Sequence, residues 1–294
     1  MHEHGHTHAP RHFDRAFGIG IGLNVLFVVA EVIFGVIAGS LALLADAGHN
    51  LSDILSLFLA WGAGRLARRA PTKRRTYGMR RTTILASLLN AIILLIAVGA
   101  IAWEAVRRFA ETPEVSGPVV MIVAGIGVLI NGVTALLFFG GRKHDLNIKG
   151  AFLHMAADAA VSLGVVVAGL IIHLTGAAWI DPVVSLVIVV VIGVGTWGLL
   201  RDSFNLALDA VPEHIDPADV RAYLEALPEV SSVHDLHIWA MSTTEVALTA
   251  HLVRPEASID DPFLARVSHE LYDRFGIEHV TIQVEHGRTD VQWF

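Results

Sequence analysis

Residues 41–61 read LALLADAGHNLSDILSLFLAW, and residues 150–169 read GAFLHMAADAAVSLGVVVAG. Each is rich in leucine, alanine and valine and long enough to cross a bilayer, for which about 20 apolar residues suffice. Each also carries a histidine followed four positions later by an aspartate: His49 with Asp53, and His154 with Asp158. Residues four apart share one face of a helix. An ionisable side chain at membrane depth costs about 3 kcal/mol on insertion scales. Two helices bearing the same costly pattern therefore point to a shared task. Two imidazoles and two carboxylates make a four-coordinate tetrahedral shell, which suits Zn2+. The plainer alternative is a pair of buried His–Asp hydrogen bonds that only fix helix packing. It gives no reason for the pattern to occur twice.

The rest of the chain agrees with a lipid setting. Of its 294 residues, 54% are hydrophobic and 17% are charged, against about 25% charged in soluble domains. Mean hydropathy is +0.59. These values exclude disorder, a nucleic-acid binder and an ordinary soluble enzyme. There is no cysteine, which removes disulfides, zinc ribbons, iron–sulfur sites and thiol nucleophiles. Imidazole and carboxylate remain as the strong metal ligands, and histidine is abundant, with 16 copies. Six spans are expected, at roughly 14–38, 41–64, 83–106, 118–140, 148–174 and 182–200. The loop between the second and third holds eight Lys and Arg and no acid, from Arg65 to Arg81. Positive charge stays in the cytoplasm, so both termini are expected there. Short loops and compact length suit a bacterial inner membrane.

Charge and hydropathy both change near residue 204. Residues 1–204 carry net charge +4 and residues 205–294 carry −11. The expected organisation is a histidine-rich arm over 1–13, an α-helical membrane domain over 14–204 and a small cytoplasmic α+β domain over 205–294. The last domain reads as helix, strand, strand, helix, strand (αββαβ). Its second helix stops at Gly276 and its third strand is HVTIQVEH, on which Gln283 and Glu285 are expected to occupy opposite faces. His234, His251, His269 and Glu285 are candidate ligands of a cytoplasmic metal. In the arm, His2, His4, His6 and His8 form a tract that binds metals loosely. Asn24 and Glu31 share a face of the first span, and Asp181, ahead of Pro182, is expected to cap a helix.

These residues carry a resemblance. The run from Asn24 through Glu31 and Gly39-Ser40-Leu41 to Asp46-Ala47-Gly48-His49-Asn50-Leu51-Ser52-Asp53 resembles the opening of the cation diffusion facilitator family. Arg75-Thr76-Tyr77-Gly78, His154-Met155-Ala156-Ala157-Asp158, Asp181-Pro182 and His234-Asp235-Leu236-His237-Ile238-Trp239 continue the likeness over nearly the whole chain. The resemblance implies a proton-coupled exporter of zinc and related divalent ions. It implies a homodimer with six spans per protomer and a metallochaperone-like cytoplasmic domain. It also implies that His49, Asp53, His154 and Asp158 form the transport site, with the His/Asp composition of the zinc-preferring branch. The chain departs from the family in places. Residues 65–81 hold no ligand for the extra loop metal some members carry, and Gln283 and Glu285 stand where some bacterial members have a His-x-Asp pair.

The expected function is therefore a zinc/proton antiporter, with Cd2+ or Co2+ as further cargo, and no enzymatic activity. The chain has no P-loop or GxSxG signature, and its one HExxH match, His2 to His6, falls in the histidine tract rather than in an expected helix. Its partners are divalent metal ions, protons, lipid and a second copy of itself, and Zn2+ is both substrate and regulatory ligand. A membrane-anchored metal sensor and a passive divalent-metal channel are the alternatives.

Overall fold

The computed structural model describes residues 12–111, 113–139, 146–255 and 261–287. Six long helices come first: α1 (His12–Ala38), α2 (Leu41–Ala67), α3 (Thr82–Arg108), α4 (Gly117–Phe138), α5 (Leu146–Thr175) and α6 (Ile180–Ala207). Then follow α7 (Pro217–Glu225), β1 (Ser232–Ala240), β2 (Val246–Val253), α8 (Asp261–Phe275) and β3 (His279–Glu285). Each expected span coincides with one long helix. The sixth runs further than expected, so the reading that starts a new domain at 205 begins inside the last turn of α6. Among the described residues, four helices are long and apolar enough to cross a membrane: α3, α4, α5 and α6. Asn24–Ala38 is a shorter apolar helix. In α2 the apolar run is broken by Asp46, His49, Asn50 and Asp53.

The chain packs as two units, residues 1–57 with 92–197, and residues 58–91 with 198–294. In the first, Ala42, Leu43 and Ala45 of α2 meet Val120, Val123 and Ala124 of α4, with Val165 of α5 and Ile188 of α6. Small residues let the backbones of α4 and α5 approach: a Cβ on Gly117 would lie 2.6 Å from the Gly169 carbonyl oxygen. The outer faces are apolar and uncovered, as at Trp103, Leu137 and Val194. Asp181, expected to cap a helix, does so across 140 positions of sequence rather than on its own helix. It is buried and accepts hydrogen bonds from the Ser40 hydroxyl at 2.5 Å and the Leu41 and Ala42 amides at 2.7 and 3.3 Å. These are donors that the start of α2 cannot satisfy internally, and the negative charge complements the helix dipole. Arg108 lies 3.7 Å from the same carboxylate and donates to the Gly39 carbonyl. This anchor fixes where α2, and so His49 and Asp53, begins.

The second unit contains the expected αββαβ order. β1 pairs antiparallel with β2, and β2 pairs parallel with β3. Asp216 caps α7 by accepting from the Ala218 amide at 2.8 Å, with Pro217 in the first turn. Gly276, at φ +68°, ends α8 in the left-handed conformation that costs glycine least. Val220 and Leu224 of α7 and Phe263, Val267 and Leu271 of α8 pack with Leu248, Ala250 and Leu252 of β2 to form one small core. The amphipathic helices thus cover the sheet and leave β-strand positions free to present ligands.

Candidate metal centres

His49 and Asp53 stand on consecutive turns of α2, and His154 and Asp158 on consecutive turns of α5. The structure brings all four together. His49 Nε2 is 3.2 Å from Asp158 Oδ1 and 3.9 Å from Asp53 Oδ2. His154 Nε2 is 3.2 Å from Asp53 Oδ2 and 3.6 Å from Asp158 Oδ2. Ligands at about 2.0 Å from a tetrahedral zinc lie roughly 3.3 Å apart. His49, Asp53 and Asp158 present ligand atoms within 4.8 Å of one another, and His154 reaches the same two carboxylates. Each histidine reaches across to the aspartate of the other helix, so the cluster is woven between α2 and α5. Asp158 is buried, while His154 has a side chain 44% exposed, so the cluster has an open side. Two carboxylates and two neutral imidazoles also balance the double charge of the ion.

A second layer of buried polar groups surrounds the cluster. Asp46, three positions before His49, accepts from the Ser162 hydroxyl at 2.8 Å, and Ser162 is four positions after Asp158. Glu31, for which sequence names no partner, accepts from the Asn50 amide at 3.1 Å. Glu31, Asp46, Asn50 and Ser162 are all buried. They tie α1 to α2 and α2 to α5, next to the residues that carry the ligands. The signal for them lay in the sequence as polar residues in apolar helices, but their pairing did not.

In the second unit, His234 of β1 faces His251 of β2 in the strand register. His234 Nε2 is 3.1 Å from Glu285 Oε2, and His251 Nδ1 is 3.0 Å from Glu285 Oε1. Ligand atoms of these three residues lie within 4.8 Å of one another. Between His234 and His237, three steps on β1 oppose two on β2, so one residue is extra. Asp235 sits in this bulge at φ +52°. Its carboxylate is 3.0 Å from His237 and 3.5 Å from His251, which makes it a neighbour that the sequence reading missed. The hydrogen bond with His237 is the main cause holding the Asp235 carboxyl below its usual range. Burial pushes the Glu285 carboxyl up, but the His234 hydrogen bond, the Gln283 amide and the two histidines outweigh it and hold it low.

Two expectations need correction here. Gln283 and Glu285 do not occupy opposite faces: the Gln283 amide donates to Glu285 Oε1 at 2.9 Å. Positions two apart in a strand share a face. His269 is not brought to the cluster. It is exposed on α8 and pairs with Asp273 one turn later, at 3.3 Å. The histidines His2, His4, His6 and His8 lie outside the described residues.

Residues 19–206 match the cation efflux transmembrane domain, and residues 212–287 match the cation efflux protein cytoplasmic domain. The chain belongs to the cation efflux family. Among curated cation efflux relatives, the zinc transporter ZitB of Escherichia coli is 39% identical over 254 residues, covering 86% of this chain and 81% of that one. The metal cation efflux system protein CzcD of Cupriavidus metallidurans is 38% identical over 252 residues, covering 85% and 80%. The cadmium, cobalt and zinc/H(+)-K(+) antiporter of Bacillus subtilis is 34% identical over 258 residues, covering 86% and 83%. A solved structure, the metal-bound C-terminal domain of a CzcD transporter, is 42% identical and covers 24% of this chain and 99% of its own, with TM-score 0.22. As a cation efflux protein the chain is an integral membrane transporter and not an enzyme.

Proposed function

We propose that this cation efflux protein is a proton-coupled antiporter. It exports Zn2+ from the cytoplasm by alternating access at His49, Asp53, His154 and Asp158, with Cd2+ and Co2+ as further cargo. One observation carries the reading: each of the two histidine nitrogens lies 3.2–3.9 Å from carboxylate oxygens of both aspartates, close to the ligand spacing of a tetrahedral zinc shell. Relatives named as a zinc transporter and as a cadmium, cobalt and zinc antiporter support the cargo and the coupling.

The mechanism follows from the ligand chemistry. Imidazole and carboxylate must be deprotonated to bind metal. Metal arriving from the cytoplasm therefore displaces protons from the four side chains. After the loaded site reorients, protons from the far side re-enter the same atoms and release the ion. Ligands and proton carriers are the same groups, so coupling requires no separate relay.

The proposed arrangement has six spans over residues 14–204, both termini cytoplasmic, and an inner-membrane location. The eight Lys and Arg of residues 65–81 support that orientation. The chain works as a homodimer, in keeping with its match to the family's cytoplasmic domain. In that domain His234, His251 and Glu285 would hold a regulatory Zn2+. Two copies with net charge −11 each repel at short range, within a Debye length of about 8 Å. Cations bound there lessen the repulsion and draw the two domains together. Residues 1–13 act as a capturing arm through His2, His4, His6 and His8.

Zinc flux into sealed vesicles, with and without an imposed pH gradient, tests the reading. Uptake should follow the gradient and vanish in Asp53→Ala. Flux indifferent to the gradient would identify a passive channel. No flux at all, with zinc changing only the cytoplasmic domain, would identify a membrane-anchored sensor.

A further inference from the structure

The unit formed by residues 58–91 and 198–294 contains a cavity of about 1060 Å³ that neither metal centre uses. Its lining includes Arg74, Arg75 and Tyr77 from the basic segment before α3, together with Leu85, Leu236 and Trp239. The lining thus combines guanidinium groups with apolar side chains.

The arginines are not equally occupied. Arg81 is paired with Asp209, and Arg80 lies 2.7 Å from Glu245 and 2.6 Å from His279. Arg74 and Arg75 have no carboxylate partner among the described residues. Arg75 reaches only the Met79 sulfur at 3.7 Å, a weak acceptor. Both are exposed, and no acidic residue occurs between positions 65 and 81 to neutralise them. Two guanidinium groups are thus left open in a cavity whose lining is also apolar in part.

The position narrows the choice of ligand. The basic segment leads directly into Thr82, the start of α3, and Asp209 on the cavity rim follows the end of α6 by two residues. α3 and α6 are both long and apolar enough to cross the membrane. Where such helices emerge, the chain lies at the depth of lipid headgroups. Basic pockets at that depth on the cytoplasmic side attract anionic lipid. A pocket lined by arginines and by apolar side chains, with Tyr77 and Trp239 among them, also matches a ligand that is charged at one end and apolar at the other.

We propose that this cavity binds an anionic phospholipid, with Arg74 and Arg75 taking the headgroup phosphate and Leu85, Leu236 and Trp239 the first part of an acyl chain. The same phosphate chemistry is available from free phosphate, and the apolar lining residues favour the lipid. The cytoplasmic placement of the cavity rests on the orientation proposed above, whereas the binding itself is independent of zinc export.

Native mass spectrometry of the full-length protein in a neutral detergent, without zinc, tests this. Phosphatidylglycerol, phosphatidylcholine and inorganic phosphate are added separately. Phosphatidylglycerol should remain bound, phosphatidylcholine should not, and millimolar phosphate should neither bind alone nor displace the lipid. Arg74→Glu with Arg75→Glu should weaken the lipid adduct roughly tenfold or more. Arg74→Gln with Arg75→Gln, which preserves size, should weaken it less. Each variant should keep wild-type zinc flux, which shows that it is folded. Equal retention of both lipids, retention of phosphatidylglycerol by the charge-reversed protein, or full competition by phosphate would overturn the proposal. So would a disulfide between two copies of an Arg75→Cys protein that forms equally with or without phosphatidylglycerol, since a second copy would then fill the cavity.

Discussion

The two candidate metal centres offer nearly the same ligand types in opposite mechanical settings. In the first unit, four candidate ligands come from two helices, and each His–Asp pair crosses between them. In the second unit, three candidate ligands come from three neighbouring strands whose register is fixed by backbone hydrogen bonds. Side-chain contacts between helices can be remade when the helices shift, whereas a strand register cannot slip without turning every side chain to the other face. The first setting suits an ion that must leave. The second suits an ion that stays. The carboxylates differ too: the helix cluster brings two buried or half-buried aspartates to its histidines, while in the sheet Glu285 bridges His234 and His251 and the exposed Asp235 lies 3.5 Å from His251.

The comparison breaks most visibly in the helices. Asp53→Ala removes one ligand and half the negative charge, and should lower zinc transport by on the order of 100-fold or more while the protein still elutes as a folded dimer. Wild-type flux from this protein in vesicles would remove the transport assignment. His49→Asp exchanges a nitrogen ligand for a charged oxygen and should raise cadmium transport relative to zinc. An unchanged ratio in parallel flux assays would show that His49 does not set selectivity.

In the sheet the effects should be smaller and should fall on binding rather than flux. Glu285→Gln should weaken the zinc retained by the cytoplasmic domain by about 10- to 100-fold. It should leave flux at saturating zinc within about twofold, since it leaves the four helix ligands intact. Equal losses of binding and flux would mean that the sheet site belongs to the transport path. The same variant has an acid signature after metal is removed by chelation. The Glu285 carboxyl is held low in the folded protein. Its stabilising contribution is complete above the ordinary glutamate value of about 4.3 and is lost as pH falls through the lowered folded value. The wild-type melting temperature should therefore fall more steeply on acidification than that of Glu285→Gln, and parallel curves would refute the low carboxyl. The smallest effect is expected from deleting residues 2–12. Maximal rate should be unchanged and uptake at low zinc weakened, because the arm only raises local metal concentration. A lost maximal rate would place the arm within the mechanism.

The helix site was legible because its ligands are paired within a turn. A spacing of four fixes His49 with Asp53 and His154 with Asp158 on helix faces before any packing is known. The sheet site was legible only in part. His234 and His251 become neighbours through strand pairing, and Glu285 joins them through a parallel strand that follows α8. His269 has the same side chain but rides on α8, facing away with Asp273. Sequence supplied the residue types there, and only the register selected among them.

The sequence by itself determined the long apolar helices, the αββαβ order and the two HxxxD faces. Each depends on interactions between residues a few positions apart, which periodicity and terminal signals report directly. Tertiary structure alone decided that Asp181 caps α2 from 140 residues away, that Glu31 meets Asn50, and that Asp46 meets Ser162. It also decided the bulge at Asp235 that sets the turn of the strand beside His234. These are contacts between distant segments. Burial in an apolar surrounding favours polar groups that find partners, but which partner is chosen depends on how the helices and strands pack.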